Sequence, residues 1–208
     1  EGRVCEAGLV GEDDFVAVAA QKREDVFGNG KKPEVFNLRS KLLLYLATGS
    51  ILRALAEVDP AEWNALPGAG TPFLRHEFLH ALEATGCATA ETGWDAHHVL
   101  LRDRDGRLAG ALPLYLKSHS WGEFVFDFAW AEAYHRAGLA YYPRLVSAVP
   151  FTPATGPRLL AGSDEDRASL LEAARALRTS LGASSLHILF PAPPDQQHHN
   201  AEPEHQPR

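Results

Sequence analysis

The chain has 208 residues, 45% of them hydrophobic, and a formal net charge of −7. This length and apolar content predict one domain with a real core, plus ragged ends. The acidic balance excludes a general nucleic-acid binder, which needs a basic face, and no apolar run is long enough to cross a bilayer as a helix. Only two cysteines occur, Cys5 and Cys87, far apart and outside any CxxC pair. Neither a disulfide framework nor a zinc knuckle is indicated, and a reducing, cytoplasmic setting is expected. No signal-peptide pattern opens the chain. There is no methionine and the first residue is Glu1, as expected of a fragment.

Residues 1–50 alternate turn formers with charge, as in Gly28-Asn29-Gly30-Lys31-Lys32-Pro33, and read as a weakly structured leader. The compact domain is expected over residues 51–191. Residues 51–58 read as a strand or a short helix, and residues 61–66 as a short helix burying Trp63. Thr71 and Pro72 suit the cap and first position of a helix in which Leu74, Phe78 and Leu82 share a face and which Gly86 closes. Residues 97–102 and 107–117 read as a hairpin around Asp103-Arg104-Asp105-Gly106. Residues 123–128 read as a further strand, 130–137 as a helix ended by Gly138, and 143–151 as a strand. A loop rich in proline and glycine fills 152–162. Ser163 caps the clearest helix, where Leu170, Leu171, Ala174, Leu177 and Leu181 form one apolar stripe. A short apolar strand is expected at 186–191. The tail at 192–208 has almost nothing to bury and is expected to be disordered. This order of elements predicts an α/β fold with a mixed sheet flanked by helices.

Several motifs carry chemistry. His76-Glu77-Phe78-Leu79-His80 matches HExxH, which on a helix can bind zinc. His76, His80 and Glu83 fall opposite the Leu74, Phe78 and Leu82 stripe, however, as they would on a solvated face. His97 and His98 are adjacent and should point to opposite faces of a strand, so they read as inert. Cys87 reads as a packing residue. Lys117-Ser118-His119-Ser120 ends a strand and could hold an anion, or be an exposed loop. Aromatics crowd residues 121–142 and are interleaved with Glu123 and Asp127. Carboxylates inside an aromatic wall would have raised pKa values and could act as general bases, although structural networks contain such groups too. The loop at 151–158 joins a strand to a helix and could offer N–H groups to a phosphate, but Pro153 and Pro157 lack donors and the loop matches neither GxGxxG nor a P-loop.

Pro72-Phe73-Leu74, Ala81-Leu82-Glu83, Gly93-Trp94, Pro113-Leu114-Tyr115-Leu116-Lys117-Ser118-His119-Ser120, Gly122-Glu123, Val125-Phe126-Asp127, Trp130-Ala131, Tyr141-Tyr142-Pro143 and Pro150-Phe151-Thr152-Pro153 through Gly156-Pro157-Arg158-Leu159-Leu160 form an ordered series. Over residues 51–191 this series resembles the FemAB-like group of GNAT-type N-acyltransferases, peptidoglycan biosynthesis or recognition proteins. The resemblance implies a GNAT-like mixed sheet, and two tandem domains in a full-length member, of which this chain would hold the first. It implies N-acyl transfer to an amine of a peptide or cell-wall precursor. The donor would be acyl-CoA or aminoacyl-tRNA as a co-substrate, with no tightly bound cofactor and no metal.

Glu123 and Asp127 are the candidate bases. Lys117, His119 and Arg144 are candidate anion contacts, and Tyr115, Trp121, Tyr141 and Tyr142 candidate walls of the acceptor site. Thr152, Thr155, Gly156 and Arg158 occupy the topological place of the family's donor-pyrophosphate loop without its sequence motif. Two other readings stay open: a non-catalytic module that recognises the acceptor, and a zinc metalloprotease through HExxH.

Overall fold

The computed structural model describes residues 15–18, 49–125, 127–193 and 195. Among them the strands are β1 (Phe15–Val18), β2 (Gly49–Leu52), β3 (Asp95–Ala96), β4 (His98–Arg102), β5 (Leu108–Leu112), β6 (Tyr115–Lys117), β7 (Arg144–Ser147), β8 (Leu160–Ala161) and β9 (Leu186–Leu189). The α-helices are α1 (Pro60–Asn64), α2 (His76–Ala84), α3 (Phe128–Arg136) and α4 (Asp164–Ser180), with 3-10 turns at Leu55–Glu57 and Pro72–Leu74.

The strands form two sheets, ordered β1-β9-β7-β6-β3 and β2-β4-β5-β8. All pairs are antiparallel except β7 with β9. One bent hairpin serves both sheets. Asp103 closes its turn by accepting from the N–H groups of Asp105 and Arg107, both at 2.9 Å, and Gly106 takes φ +80. The hairpin changes sheet at His97 on one arm and at Pro113-Leu114 on the other. Pro113 has no N–H to give a ladder. The Leu114 N–H donates instead to the His98 ring, and the His97 N–H donates to the Leu114 carbonyl at 2.8 Å.

Helix α4 links the parallel strands β7 and β9. Ser163 caps it by accepting from the Asp166 N–H, and Asp164, Glu165 and Asp166 load its first turn with the negative charge that a helix N-terminus favours. Its Leu170, Leu171, Ala173 and Ala174 pack with Leu145, Leu186, Ile188, Val99 and Leu112 in the largest core. Side chains alternate along a strand, so Leu145 faces α4 while Arg144 and Val146 face away. Register pairs Lys117 with Arg144, Tyr115 with Val146, and Val146 with His187. The face remote from α4 thus carries Tyr115, Lys117, Arg144, Val146 and His187, and the site lies on it.

Several expectations are corrected. Among the described residues of 123–128 there is no strand: Gly122 and Phe124 have φ +80 and +59, which turn the chain, and α3 starts at Phe128. The helix expected from Thr71 is split, because Arg75 is extended (ψ 146) between the 3-10 turn and α2, and Thr71 makes no side-chain cap bond. The strand-or-helix of residues 51–58 is both, β2 followed by a 3-10 turn. The 152–162 loop contains β8, which pairs with β5. Trp63 is buried as expected, and its indole N–H donates to the Leu74 carbonyl at 2.9 Å. Within the expected leader, β1 pairs with β9, while residues 1–14 and 19–48 lie outside the described residues. Of the expected tail, Asp195 is buried and accepts from the Arg158 N–H; residues beyond it also lie outside.

Candidate functional site

Four charged side chains meet on the sheet face opposite α4, and all are buried. Lys117 comes from the end of β6, Arg144 from the start of β7, and Glu123 and Asp127 from the irregular segment before α3. Glu123 is 2% exposed and Asp127 1%. Antiparallel pairing of β6 with β7 sets Lys117 beside Arg144, and the loop between them folds back over both.

Arg144 is the centre. Its Nη2 donates to Glu123 Oε2 at 2.5 Å, and its Nη1 donates to Asp127 and, at 2.7 Å, to the Tyr141 hydroxyl. Asp127 also accepts from the hydroxyls of Tyr141 at 2.8 Å and Tyr142 at 3.4 Å. The guanidinium lies over both tyrosine rings, 5.0 and 5.3 Å from their centroids. Lys117 Nζ donates to the Trp121 carbonyl at 3.1 Å, lies 3.9 Å from Glu123 Oε1, and sits 3.6 Å from the Trp94 ring centroid.

The two cations and two anions balance in a dry setting, where unpaired charge would be prohibitive. Their acidities shift accordingly. Burial pushes the Glu123 carboxyl up to about 7, although Arg144 and Lys117 pull the other way. Burial brings Lys117 down to about 8, helped by Arg144 and opposed by Glu123. Burial alone would lower Arg144, but the Glu123 and Asp127 carboxylates outweigh it and hold the guanidinium charged. Burial raises the Tyr141 and Tyr142 hydroxyls. What results is a carboxyl poised near neutrality between two cations.

Two further residues of this face were not among the candidate site residues, although Gly93-Trp94 stood in the family series. His187 is buried on β9, and a 2.8 Å hydrogen bond joins its Nε2 to the Ser185 hydroxyl; burial, with Arg144 nearby, takes its pKa down to about 3. His187 alternates with Leu186 and Ile188, and that period-2 break was the available signal. Trp94 is the other: fully buried, it packs edge-on against Tyr115, with ring centroids 5.3 Å apart.

The remaining candidates scatter. Tyr115 is wholly buried beneath Trp94 and His98, so it walls the core rather than an open cleft. His119 is partly exposed and lies against Trp121, which is 72% exposed. In the 152–158 loop, Arg158 is buried and its guanidinium donates to the carbonyls of Leu189, Gly156, Pro157 and Ala154. The Gly156 N–H donates to the Phe190 carbonyl, and the Thr152 hydroxyl to that of Pro150. Thr155 is exposed. Arg158 and Gly156 therefore clasp the loop to β9, with their donors engaged.

The HExxH helix is not the solvated face expected. His76 is buried and its Nε2 donates to the Leu55 carbonyl at 2.8 Å, while Glu77 accepts from Asn64 and Arg75. Glu83 turns inward to accept from His98 Nε2 at 2.8 Å and the Leu55 N–H at 2.7 Å, so His98 is a structural tie rather than an inert residue. Among the described residues no group of three or more His, Cys, Asp or Glu side chains could hold a metal ion. Nor is any helix among them long and apolar enough to cross a membrane. Cys87 is exposed rather than packed.

Comparison with protein families matches residues 54–207 to the FemAB-like family, described as peptidoglycan biosynthesis/recognition. The chain belongs to the FemAB-like family. No curated protein and no solved structure matches it significantly. On the sheet face of this FemAB-like chain remote from α4, Lys117, Glu123, Asp127 and Arg144 form one buried charge cluster.

Proposed function

We propose that this FemAB-like chain transfers an acyl or aminoacyl group to an amine of a cell-wall precursor peptide. One observation carries the reading: a buried carboxyl, Glu123, poised near pH 7 between Lys117 and Arg144. A base with that acidity can take the proton of an attacking amine at neutral pH. As the amine attacks the donor's thioester or ester carbonyl, the nitrogen–carbon bond forms and Glu123 accepts the proton. The thiolate or alkoxide leaves as the intermediate collapses. Lys117 and Arg144 supply positive charge for the developing oxyanion, and Asp127 holds Arg144 in place. Tyr141, Tyr142 and Trp121 wall the acceptor, with His119 at the rim.

Acyl-CoA and aminoacyl-tRNA are the candidate donors. The 152–158 loop offers them the exposed Thr155 hydroxyl; Thr152, Gly156 and Arg158 would take part only by trading the bonds they already make. The test is turnover with each donor and a precursor peptide. Glu123→Gln should lower kcat by about 10²-fold or more, with KM nearly unchanged. Equal turnover would remove Glu123 as base.

A second reading is an acceptor-recognition module. The pairing of Glu123 and Asp127 on Arg144 favours it, because carboxylates already engaged by a buried guanidinium can fix a shape without reacting. Calorimetric titration separates the two: a module binds the precursor peptide and not acyl-CoA.

A further inference from the structure

Next to the charge cluster, three features converge on one point. The Trp94 indole is fully buried, yet its Nε1–H has no hydrogen-bond partner among the described residues. Buried tryptophan N–H groups ordinarily find an acceptor. Gly122 lies directly above: a Cβ there would fall 3.2 Å from that nitrogen and 2.6 Å from the Phe151 ring. The Phe151 ring, 5.6 Å from the Trp94 ring, covers the spot and is itself 43% exposed.

The cover is held in an unfavourable backbone state. Phe151 has φ +58, a left-handed conformation that bulky residues rarely adopt, and so does Phe124 at φ +59, two residues after Gly122. Such strain is characteristic of clamps and switch segments. Below the indole, the Lys117 ammonium lies on the ring face and makes the N–H edge electropositive. Glu123 Oε1, which also lacks a hydrogen-bond partner, lies 3.9 Å from that ammonium.

We infer that Phe151 is a gate over an oxyanion subsite, where the Trp94 indole N–H, beside the Lys117 charge, takes a carboxylate oxygen of a peptide ligand. A donor N–H backed by a buried cation suits an anion, and carboxylate is the anion that peptides carry. Swinging the Phe151 ring outward opens the space that Gly122 leaves free of a side chain. The inference rests on the reading of Lys117 as an anion contact but requires no transfer step.

The test is an NMR titration of the ¹⁵N-labelled full chain, with the Trp94 indole resonance identified by its loss in Trp94→Phe. The probes are N-acetylalanine and its C-terminal amide. The carboxylate is expected to shift the Trp94 resonance saturably while the amide leaves it in place. Phe151→Ala is expected to lower the half-saturation concentration at least 5-fold, since the gate no longer competes. Phe151→Leu, a milder change, should do so in the same direction, and serves if the alanine variant does not fold. No shift with the carboxylate, or an equal shift with the amide, overturns the subsite. A shift whose half-saturation is the same in the wild type and in either folded Phe151 variant overturns the gate. Transfer by Glu123→Gln is scored separately, so carboxylate binding alongside undiminished transfer would sink the base role alone.

Discussion

Glu83 Oε1 and His98 Nε2 are 2.8 Å apart where helix α2 meets the bent hairpin. His98 Nδ1 accepts from the Leu114 N–H, so Nε2 must carry the proton that Glu83 receives. The other Glu83 oxygen accepts from the Leu55 N–H. One carboxylate thus ties α2 to the point where the hairpin changes sheet. Glu83→Ala leaves two buried donors unmatched and should cost about 2–4 kcal/mol. Glu83→Gln should cost roughly half of that. Urea denaturation measures both, and a loss below about 0.5 kcal/mol for alanine, the usual range of a surface substitution, would contradict the tie.

A pH prediction follows from two opposed groups. Glu123 is raised from 4.5 to about 7 in the fold, so the folded chain holds an extra proton between those values and stability falls as pH rises through them. His187 is lowered from 6.5 to about 3, so the unfolded chain holds the extra proton and stability rises over that window. The two slopes offset between about pH 4.5 and 6.5. Glu123→Gln should therefore gain stability relative to wild type as pH rises from 4.5 to 6.5. His187→Gln should lose stability relative to wild type over the same range, each change amounting to about 1–3 kcal/mol. Thermal melts at closely spaced pH values read the signs directly.

Gly93 has φ +75, and a Cβ on it would run into the His119 ring. Gly93→Ala should cost about 1–3 kcal/mol through backbone strain and this clash. Adding His119→Ala should recover the steric share but not the backbone share. A double-mutant cycle by chemical denaturation separates them, and a zero coupling energy would mean that the ring is not held there.

Arg158 is buried and spends its donors on carbonyls of its own loop and of β9. Burial takes it down to about 10, still charged at neutral pH. Arg158→Ala should destabilise by about 2–4 kcal/mol, because the carbonyls of Leu189, Gly156, Pro157 and Ala154 lose their donor, while Asp195 keeps its bond from the Arg158 N–H. Arg158→Lys should recover only part, lacking the planar fork. Unchanged stability with weakened binding of acyl-CoA would return Arg158 to the donor site.

Much of the scaffold was legible locally. Asp-Gly at 105–106 between apolar runs marks the hairpin, and Ser163 with the Leu170 stripe marks α4. What escaped depends on distant partners. The expected strand at 123–128 fails because Gly122 and Phe124 turn the chain over Trp94, some thirty residues upstream in sequence. Glu83 was assigned to solvent by helical periodicity, but His98 waits for it on the hairpin. The candidate site was half visible: Glu123, Asp127, Lys117 and Arg144 stood out by type, while β6–β7 pairing joins Lys117 to Arg144 and the segment before α3 brings Glu123 and Asp127 onto Arg144. His187 stayed hidden in a run of apolar letters, and nothing local marked Trp94's bare N–H.

The shared hairpin has a mechanical consequence. Its arms contribute β4 and β5 to one sheet and β3 and β6 to the other, so the same two stretches of chain run through both ladders. A cleavage at the 103–106 turn should loosen both sheets together, and the chain should lose its structure in a single cooperative step rather than shedding one sheet first.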